Sequence, residues 1–199
     1  MGMKFVLSLV FAFALTDPLA RAGETALAVL EEINLARSNP QQYAQTIAAQ
    51  GAHMADARAV AEAVSFLKKA RSLPPLSFAD GLALAAQMHV SEQGSRGTIG
   101  HGNPWGRMAQ YGRWVGTAGE NISYGYSNAR GIVAQLIIDA GVPGRGHRKN
   151  IFSNNFHVAG IACGGHARFG AMCVIDFAGG FEGKNAGFAM SNVPRLGGI

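Results

Sequence analysis

Two cysteines and the segments beside them constrain the fold of this 199-residue chain more than any other feature. Between Cys163 and Cys173 runs a glycine-rich stretch that is typical of the turn of an antiparallel hairpin. When the cysteines are placed opposite each other, Ile161 faces Ile175 and that face of the hairpin is apolar. The other face is also mostly apolar. A sheet that is apolar on both faces must be covered on both, so the hairpin predicts helices on its two sides.

The same register predicts a disulfide bond between Cys163 and Cys173. The expectation depends on the compartment, since disulfides persist in exported proteins. A closed loop this short contributes about 3 kcal/mol to stability in the chain-entropy description. The alternative is a pair of free thiols buried in the core.

The first 22 residues are typical of a secretory signal peptide. Lys4 supplies a positive charge, and residues 5–15 form an apolar run that is too short to span a bilayer. Residues 20–22 (Ala-Arg-Ala) match a cleavage site, so the mature chain is expected to begin at Gly23. A buried N-terminal helix is the alternative. Under the first interpretation the protein is secreted or periplasmic.

No later segment is long and apolar enough to predict a membrane helix. Residues 23–199 carry 15 Lys and Arg against 11 Asp and Glu, a net charge of +4. This charge is mild, and no basic cluster with interleaved aromatics indicates a nucleic-acid partner. The length predicts a single domain over residues 23–180, expected to be a monomer. Residues 181–199 lack periodicity and are expected to form a loose tail.

Apolar residues at helical spacing predict several helices ahead of the hairpin. The glycine-rich residues 94–126 predict a long irregular loop with one short helix at 104–110. The chain is therefore predicted to have an α+β fold, an α-β-α sandwich with a small antiparallel sheet between helices. The predicted helices cover residues 24–37, 41–72 in one or two pieces, 78–94 with a capping box over 77–80, and 128–138; the predicted hairpin covers 158–178.

Three polar residues stand out in glycine-flanked positions. They are His101, Glu120 and His147, and each lies where a side chain can turn toward a shared cleft. Two imidazoles and a carboxylate can form either a metal site or an acid/base pair. The histidines are 46 residues apart, unlike the i,i+4 pair of a helical zinc motif, so only the fold can bring them together.

A purely structural role for these residues is the alternative. Glu120 can brace the glycine-rich loop by accepting backbone N–H bonds, and His147 can hydrogen-bond to Glu120. Asn121 and Asn150 suit the same bracing, since asparagine side chains pair readily with loop backbone. His89 shares the apolar face of its predicted helix and is expected to be a buried core histidine.

Five segments along the chain form a recognisable series of motifs. They are Asn34-Leu35-Ala36-Arg37 with Pro40, the helix from Leu76 to Ala86, Gly119-Glu120-Asn121-Ile122, Gly146-His147-Arg148 with Asn150-Ile151, and the strand from Val158 to Cys163. In this order the motifs resemble the CAP superfamily, also called the SCP domain, which includes cysteine-rich secretory proteins, antigen 5 and pathogenesis-related 1 proteins. The resemblance covers residues 24–178 and is strongest to the bacterial branch.

The resemblance implies a cleft that contains two histidines and acidic partners. His101 and His147 match the paired histidines, and Glu120 matches the first acid. The candidate for the second acid is Asp139, near the predicted end of a helix. These four are the candidate cleft or catalytic residues, and the two histidines are candidate metal ligands.

Two classes of function fit these residues. The first is a non-enzymatic module whose cleft binds a small lipid-like ligand or a component of the cell envelope. The second is a metal-dependent hydrolase of peptide or envelope polymers, with Zn²⁺ or another divalent ion in mixed nitrogen and oxygen coordination. A serine or cysteine nucleophile is not indicated, because the cysteines are assigned to a disulfide and no serine lies in a G-x-S-x-G turn.

Overall fold

The computed structural model describes residues 18–52 and 56–184. In this part of the chain, most of the helices come before the long strands, as the sequence predicts. The elements are α1 (Pro18–Ser38), α2 (Pro40–Gly51), α3 (Ala57–Lys69), β1 (Ser77–Phe78), α4 (Asp80–Arg96), α5 (Pro104–Tyr111), β2 (Gly112–Tyr124), α6 (Ala129–Ile138), α7 (Gly146–Ile151), β3 (Val158–His166) and β4 (Gly170–Gly183).

The four strands form one sheet in the order β1-β3-β4-β2. The hairpin of β3 and β4 has the predicted register, with Cys163 opposite Cys173 and Ile161 opposite Ile175. The disulfide between the two cysteines is confirmed as well. Strand β2 is antiparallel to β4 and occupies one edge of the sheet, while the short β1 runs parallel to β3 at the other edge.

Helices cover both faces of this sheet, and the predicted α-β-α sandwich is confirmed. On one face α1, α2, α3 and α6 share a core with Ile161 and Ile175. On the other face α4 and α5 pack against the alternate residues of the same strands, among them Ala162 and Val174. The approach of α4 is close: a Cβ atom on Gly160 would lie 2.0 Å from a backbone nitrogen of α4. Only glycine fits there.

In residues 94–126 the predicted short helix is confirmed as α5, but the rest differs from the predicted irregular loop, because it contains the 13-residue strand β2. The first half of β2 is largely exposed, and its register with β4 shifts between Val115 and Ala118. The exposed half of β2 has no alternation of apolar and polar residues that would predict a strand. It is a strand because its backbone pairs with β4. The same pairing extends β4 to Gly183, past the expected end of the hairpin near residue 178.

The capping box predicted over residues 77–80 is wrong. Ser77 lies in β1, where it pairs with Val158, and the residue that precedes α4 is Ala79, which makes no side-chain cap. The link into α4 is therefore held by the sheet: the N–H of Ala79 donates to the carbonyl of Ala159 at 2.9 Å. Residues 77–79 are bound to β3 through backbone hydrogen bonds, and this pairing takes the place of a side-chain cap at the start of α4.

The predicted signal segment lies mostly outside the described residues, and its last five residues, 18–22, begin α1. The predicted loose tail lies outside them from residue 185 onward. Both expectations stay predictions. Across residues 18–52 and 56–184, no helix combines the length and the apolar character that a bilayer crossing requires.

Candidate ligand-binding cleft

A cleft with a volume of about 660 Å³ runs along β2 at the edge of the sheet. Strand β2 and helix α6 supply its apolar walls, and loops on either side of β2 carry polar groups into it. The apolar and aromatic side chains that line it are Ile99, Ile122, Tyr124, Tyr126, Leu136, Ile138 and Val142; the polar ones include His101, Asp139 and His147.

Glu120, in the buried half of β2, fixes the first histidine. Its side chain is 1% exposed. One carboxylate oxygen accepts a hydrogen bond from His101 Nδ1 at 2.7 Å, and the other accepts one from the guanidinium of Arg107 on α5. Arg107 also donates to the backbone carbonyl of His101 at 2.9 Å. The arginine therefore balances the charge of Glu120 and holds the loop that carries His101.

Asp139 fixes the second histidine in a similar way. It follows α6 in the left-handed conformation, with φ of 56°, and is 2% exposed. Its Oδ1 accepts a hydrogen bond from His147 Nδ1 at 2.7 Å, and its Oδ2 accepts one from the backbone N–H of His147 at 2.9 Å. One carboxylate thus sets both the ring orientation and the backbone position of His147 at the start of α7.

The fold brings the four predicted cleft residues together as two imidazole–carboxylate pairs on one cleft. The structural alternative expected His147 to bond Glu120, and this is wrong, because its partner is Asp139. The expected bracing by asparagine is present. Asn121 Nδ2 donates to the carbonyl of His147 at 3.0 Å, and Asn150 Nδ2 donates to Asn121 Oδ1 at 2.8 Å.

Arg148, which follows the second histidine in its motif, has a structural role. It is 4% exposed and donates to the carbonyls of Ile137 and Ile138 at the end of α6, at 2.5 and 3.0 Å. Its third contact is an ion pair with Glu62 on α3, which Arg145 also reaches. The two arginines lower the pKa of Glu62 to about 2. The motif therefore anchors α7 to α6 and α3 as well as presenting His147.

Tyr124, at the end of β2, connects the cleft wall to the loop that carries His101. Its hydroxyl donates to Gln93 Oε1 on α4 at 2.9 Å and accepts the N–H of Gly100 at 3.0 Å. Burial raises the pKa of the phenol, so it stays neutral at physiological pH. The loop is thus held on both sides of His101, by Tyr124 before it and by Arg107 after it.

The two pairs leave one ring nitrogen of each histidine for chemistry in the cleft. Because a carboxylate can only accept, Nδ1 of each ring carries the proton in that contact. Nε2 of a neutral ring then has a free lone pair that can accept a hydrogen bond, take a proton or coordinate a metal. A carboxylate behind Nδ1 holds the ring in one orientation.

In the cleft, these residues present two ring nitrogens that are free to bind a metal ion. Catalytic zinc is usually held by three protein ligands. Glu120 and Asp139 are occupied with Nδ1 atoms, Arg107 and backbone N–H groups, which leaves two imidazole nitrogens. Within residues 18–52 and 56–184, no group of three or more His, Cys, Asp or Glu is placed to hold one metal ion. Metal binding by His101 and His147 stays a prediction.

Sequence reasoning missed Arg107 and Asp176. The helical period of α5 gave a signal for the first, since Pro104, Arg107 and Met108 share its buried face. Asp176 interrupts the otherwise apolar face of the hairpin that α4 and α5 cover, between Val174 and Ala178 on β4, and it is 0% exposed. His89, by contrast, is buried as predicted.

A comparison with protein families identifies the class of protein. The family model of the CAP family, described as the cysteine-rich secretory protein family, matches residues 30–177. The chain belongs to this family, and the resemblance drawn from its motifs is confirmed.

Individual relatives are distant. The uncharacterized protein YkwD of Bacillus subtilis (strain 168) is 25% identical over 167 residues, which are 81% of this chain and 62% of YkwD. The chain therefore spans less than two thirds of that relative. A solved cysteine-rich secretory protein (SAV1118) from Staphylococcus aureus subsp. aureus Mu50 is 15% identical, with a TM-score of 0.42 over 71% of this chain and 39% of the other. An extracellular protein containing an SCP domain, from Bacillus anthracis str. Ames, is 22% identical, with a TM-score of 0.41 over 53% and 34%.

Proposed function

We propose that this domain is an exported binding module whose cleft takes a small lipid-like or cell-envelope ligand. The observation that carries the proposal is the composition of the cleft: apolar walls from β2 and α6 lie beside two oriented imidazoles. A volume of about 660 Å³ is in the range of sites that hold one small organic molecule.

The two halves of the cleft suit the two halves of such a ligand. An alkyl or isoprenoid segment gains free energy from contact with Ile99, Tyr126 and Val142, because these lining side chains are exposed or half-buried and the contact removes apolar surface from water. Hydroxyl or acidic head groups can hydrogen-bond to Nε2 of His101 and His147, as a donor to the neutral ring or as an acceptor from the protonated one. The spacing between the polar head group and the apolar segment of a ligand would then decide which ligands fit the cleft.

Export is supported by two features. Residues 1–22 have the pattern of a signal peptide, and the hairpin carries the Cys163–Cys173 disulfide, which persists in oxidising compartments. A secreted or periplasmic location would place the cleft among envelope lipids and glycans. The cysteines are both in the disulfide, so neither is available as a nucleophile.

Binding is tested by native mass spectrometry with palmitate, lysophosphatidylglycerol and muropeptides as probes. The wild type is expected to retain at least one of them, and the double variant His101→Ala/His147→Ala to bind it about tenfold more weakly, a change of about 1.4 kcal/mol. Val142→Asp, which puts a charge in the apolar wall, is expected to do the same. His157→Ala is the matched control, because His157 is exposed and does not line the cleft. If no probe binds at millimolar concentration, the proposal is wrong.

A metal-dependent hydrolase is the second candidate function. Its supporting observation is that both histidines have a carboxylate behind Nδ1, the arrangement found around many metal-bound histidines. Calorimetric titration with Zn²⁺ distinguishes the two candidates. The hydrolase requires binding in the wild type that the His101→Ala/His147→Ala variant loses, with His157→Ala again as the control. Equal binding by all three proteins, or none, excludes it.

A further inference from the structure

Beneath the His101–Glu120 pair lies an acidic side chain that neither candidate function uses. Asp176 lies in β4, directly opposite Glu120 of β2 in the antiparallel register. It is 0% exposed, and neither oxygen of its carboxyl group has a donor within reach in the described part of the chain. Buried polar atoms without partners are rare in folded proteins, so this side chain requires an explanation.

The groups that surround Asp176 fix the total charge of the cluster. Residues directly opposite in an antiparallel pair have Cβ atoms about 4.5–5.5 Å apart, so Glu120 and Asp176 are near neighbours. Helix α5 contributes Arg107, which acts on both carboxyl groups. Helix α4 contributes His89, which burial keeps neutral by lowering its pKa. On the remaining side, β3 places Gly160 opposite Asp176 and adds no charge.

Among the described residues, Arg107 is thus the one cation beside two buried carboxyl groups, and the hydrogen-bond donors distinguish the two groups. Glu120 accepts hydrogen bonds from both His101 and Arg107, which stabilise its charge. Asp176 accepts none, although Arg107 has a buried Nε–H without a partner. Burial and the neighbouring charge of Glu120 raise the pKa of Asp176 well above its ordinary value.

We propose that Asp176 is a neutral carboxylic acid in the folded protein and donates its proton in a hydrogen bond to Glu120. This explains the missing donors, because a protonated carboxyl group is itself a donor. Carboxylic acids are known to stay neutral at physiological pH in apolar sites and to donate in this way. Asp176 is then a positioning residue: it holds the carboxylate that holds His101 in the cleft. The proposal does not depend on the identity of the ligand.

Stability as a function of pH tests the protonation state. Asp176→Asn keeps the shape and an N–H donor but cannot ionise. The unfolded chain releases this proton near pH 3.9, whereas the folded protein keeps it to higher pH, so wild-type stability is lost as pH rises through that window. The unfolding constant of the wild type, divided by that of the variant, is expected to rise up to about tenfold per pH unit until the folded-state pKa is reached.

Urea unfolding of both proteins from pH 4 to pH 9 measures this ratio. Glu182→Gln, on the same strand but exposed, is the control for removing one carboxyl group, and its ratio is expected to change far less because exposed pairs interact weakly. If the ratio for Asp176→Asn stays constant with pH, or falls as pH rises, Asp176 is an ionised group and the proposal is wrong.

Two spectroscopic measurements complete the test. The sequence has five aspartates, so their carboxyl carbons can be followed by ¹³C NMR in the wild type alone. One of them is expected to keep the chemical shift of a protonated acid near pH 6. If every aspartate shows the shift of a carboxylate, the proposal is overturned, even if Asp176→Asn does not fold. For the positioning role, the Nδ1–H signal of His101 is expected to persist in Asp176→Asn and to be lost in Asp176→Val, which has no donor. An unchanged signal in Asp176→Val contradicts that role.

Discussion

Asp139→Ala is expected to lower the free energy of unfolding by about 2–5 kcal/mol, the sum of a lost hydrogen-bond acceptor and a strained backbone. The carboxylate accepts hydrogen bonds from the backbone N–H and the Nδ1–H of His147, and alanine leaves the partly buried backbone donor without its partner, at a cost of about 1–3 kcal/mol. Alanine must also adopt the left-handed conformation at φ 56°, which costs roughly 1–2 kcal/mol. The two losses have the same sign.

Asp139→Asn separates these contributions. Asparagine tolerates the left-handed conformation and keeps one carbonyl oxygen, but its NH₂ group faces a donor. The expected loss is about 1–3 kcal/mol. Urea unfolding of the wild type and both variants measures the effects. Asp80→Ala is the control: Asp80 is exposed in the first turn of α4, where removing a charge costs less than about 1 kcal/mol. A loss as small for Asp139→Ala would show that the carboxylate does not hold α7.

The hairpin shows what the sequence alone can predict about the fold. Placing Cys163 opposite Cys173 predicts the register, the disulfide and the need for helices on both faces, and the structure confirms all three. Each follows from residues close in sequence with a strong apolar pattern. Strand β2 gives no such signal, because its first half is exposed and the strand with which it pairs among the described residues, β4, lies about 60 residues further on.

The candidate site divides in the same way. The motifs identify His101, Glu120 and His147, but not which acid pairs with which histidine. That pairing depends on how α6 ends: Asp139 turns back toward His147 because it takes a left-handed conformation there. The partners Arg107 and Asp176 could not be assigned for a related reason. Each acts on Glu120 from another element, and no local spacing records such a contact.

Arg37 shows that the motif of the first helix serves the structure rather than the cleft chemistry. It is 1% exposed, and its guanidinium donates to four backbone carbonyls of residues far away in the chain. The acceptors are Pro74 at 3.1 Å, Ile151 at 2.7 Å, Ser153 at 3.0 Å and Phe156 at 3.3 Å. Ile151 is the last residue of α7, and Ser153 and Phe156 lie in the connection between α7 and β3. Helix α1 therefore fixes the segment that follows His147.

Arg37→Met is therefore expected to lower the free energy of unfolding by about 4 kcal/mol or more, since four buried or partly buried carbonyls lose a charged donor and the methionine offers none. Arg37→Lys keeps the charge but not the planar fork, and an intermediate loss is expected. Arg96→Met is the control, because Arg96 makes only an exposed i,i+4 pair with Glu92, worth about 0.3–0.5 kcal/mol. Urea unfolding of the four proteins measures these differences. If Arg37→Met is as stable as Arg96→Met, the carbonyls are satisfied by water and Arg37 does not hold α1 to the end of α7.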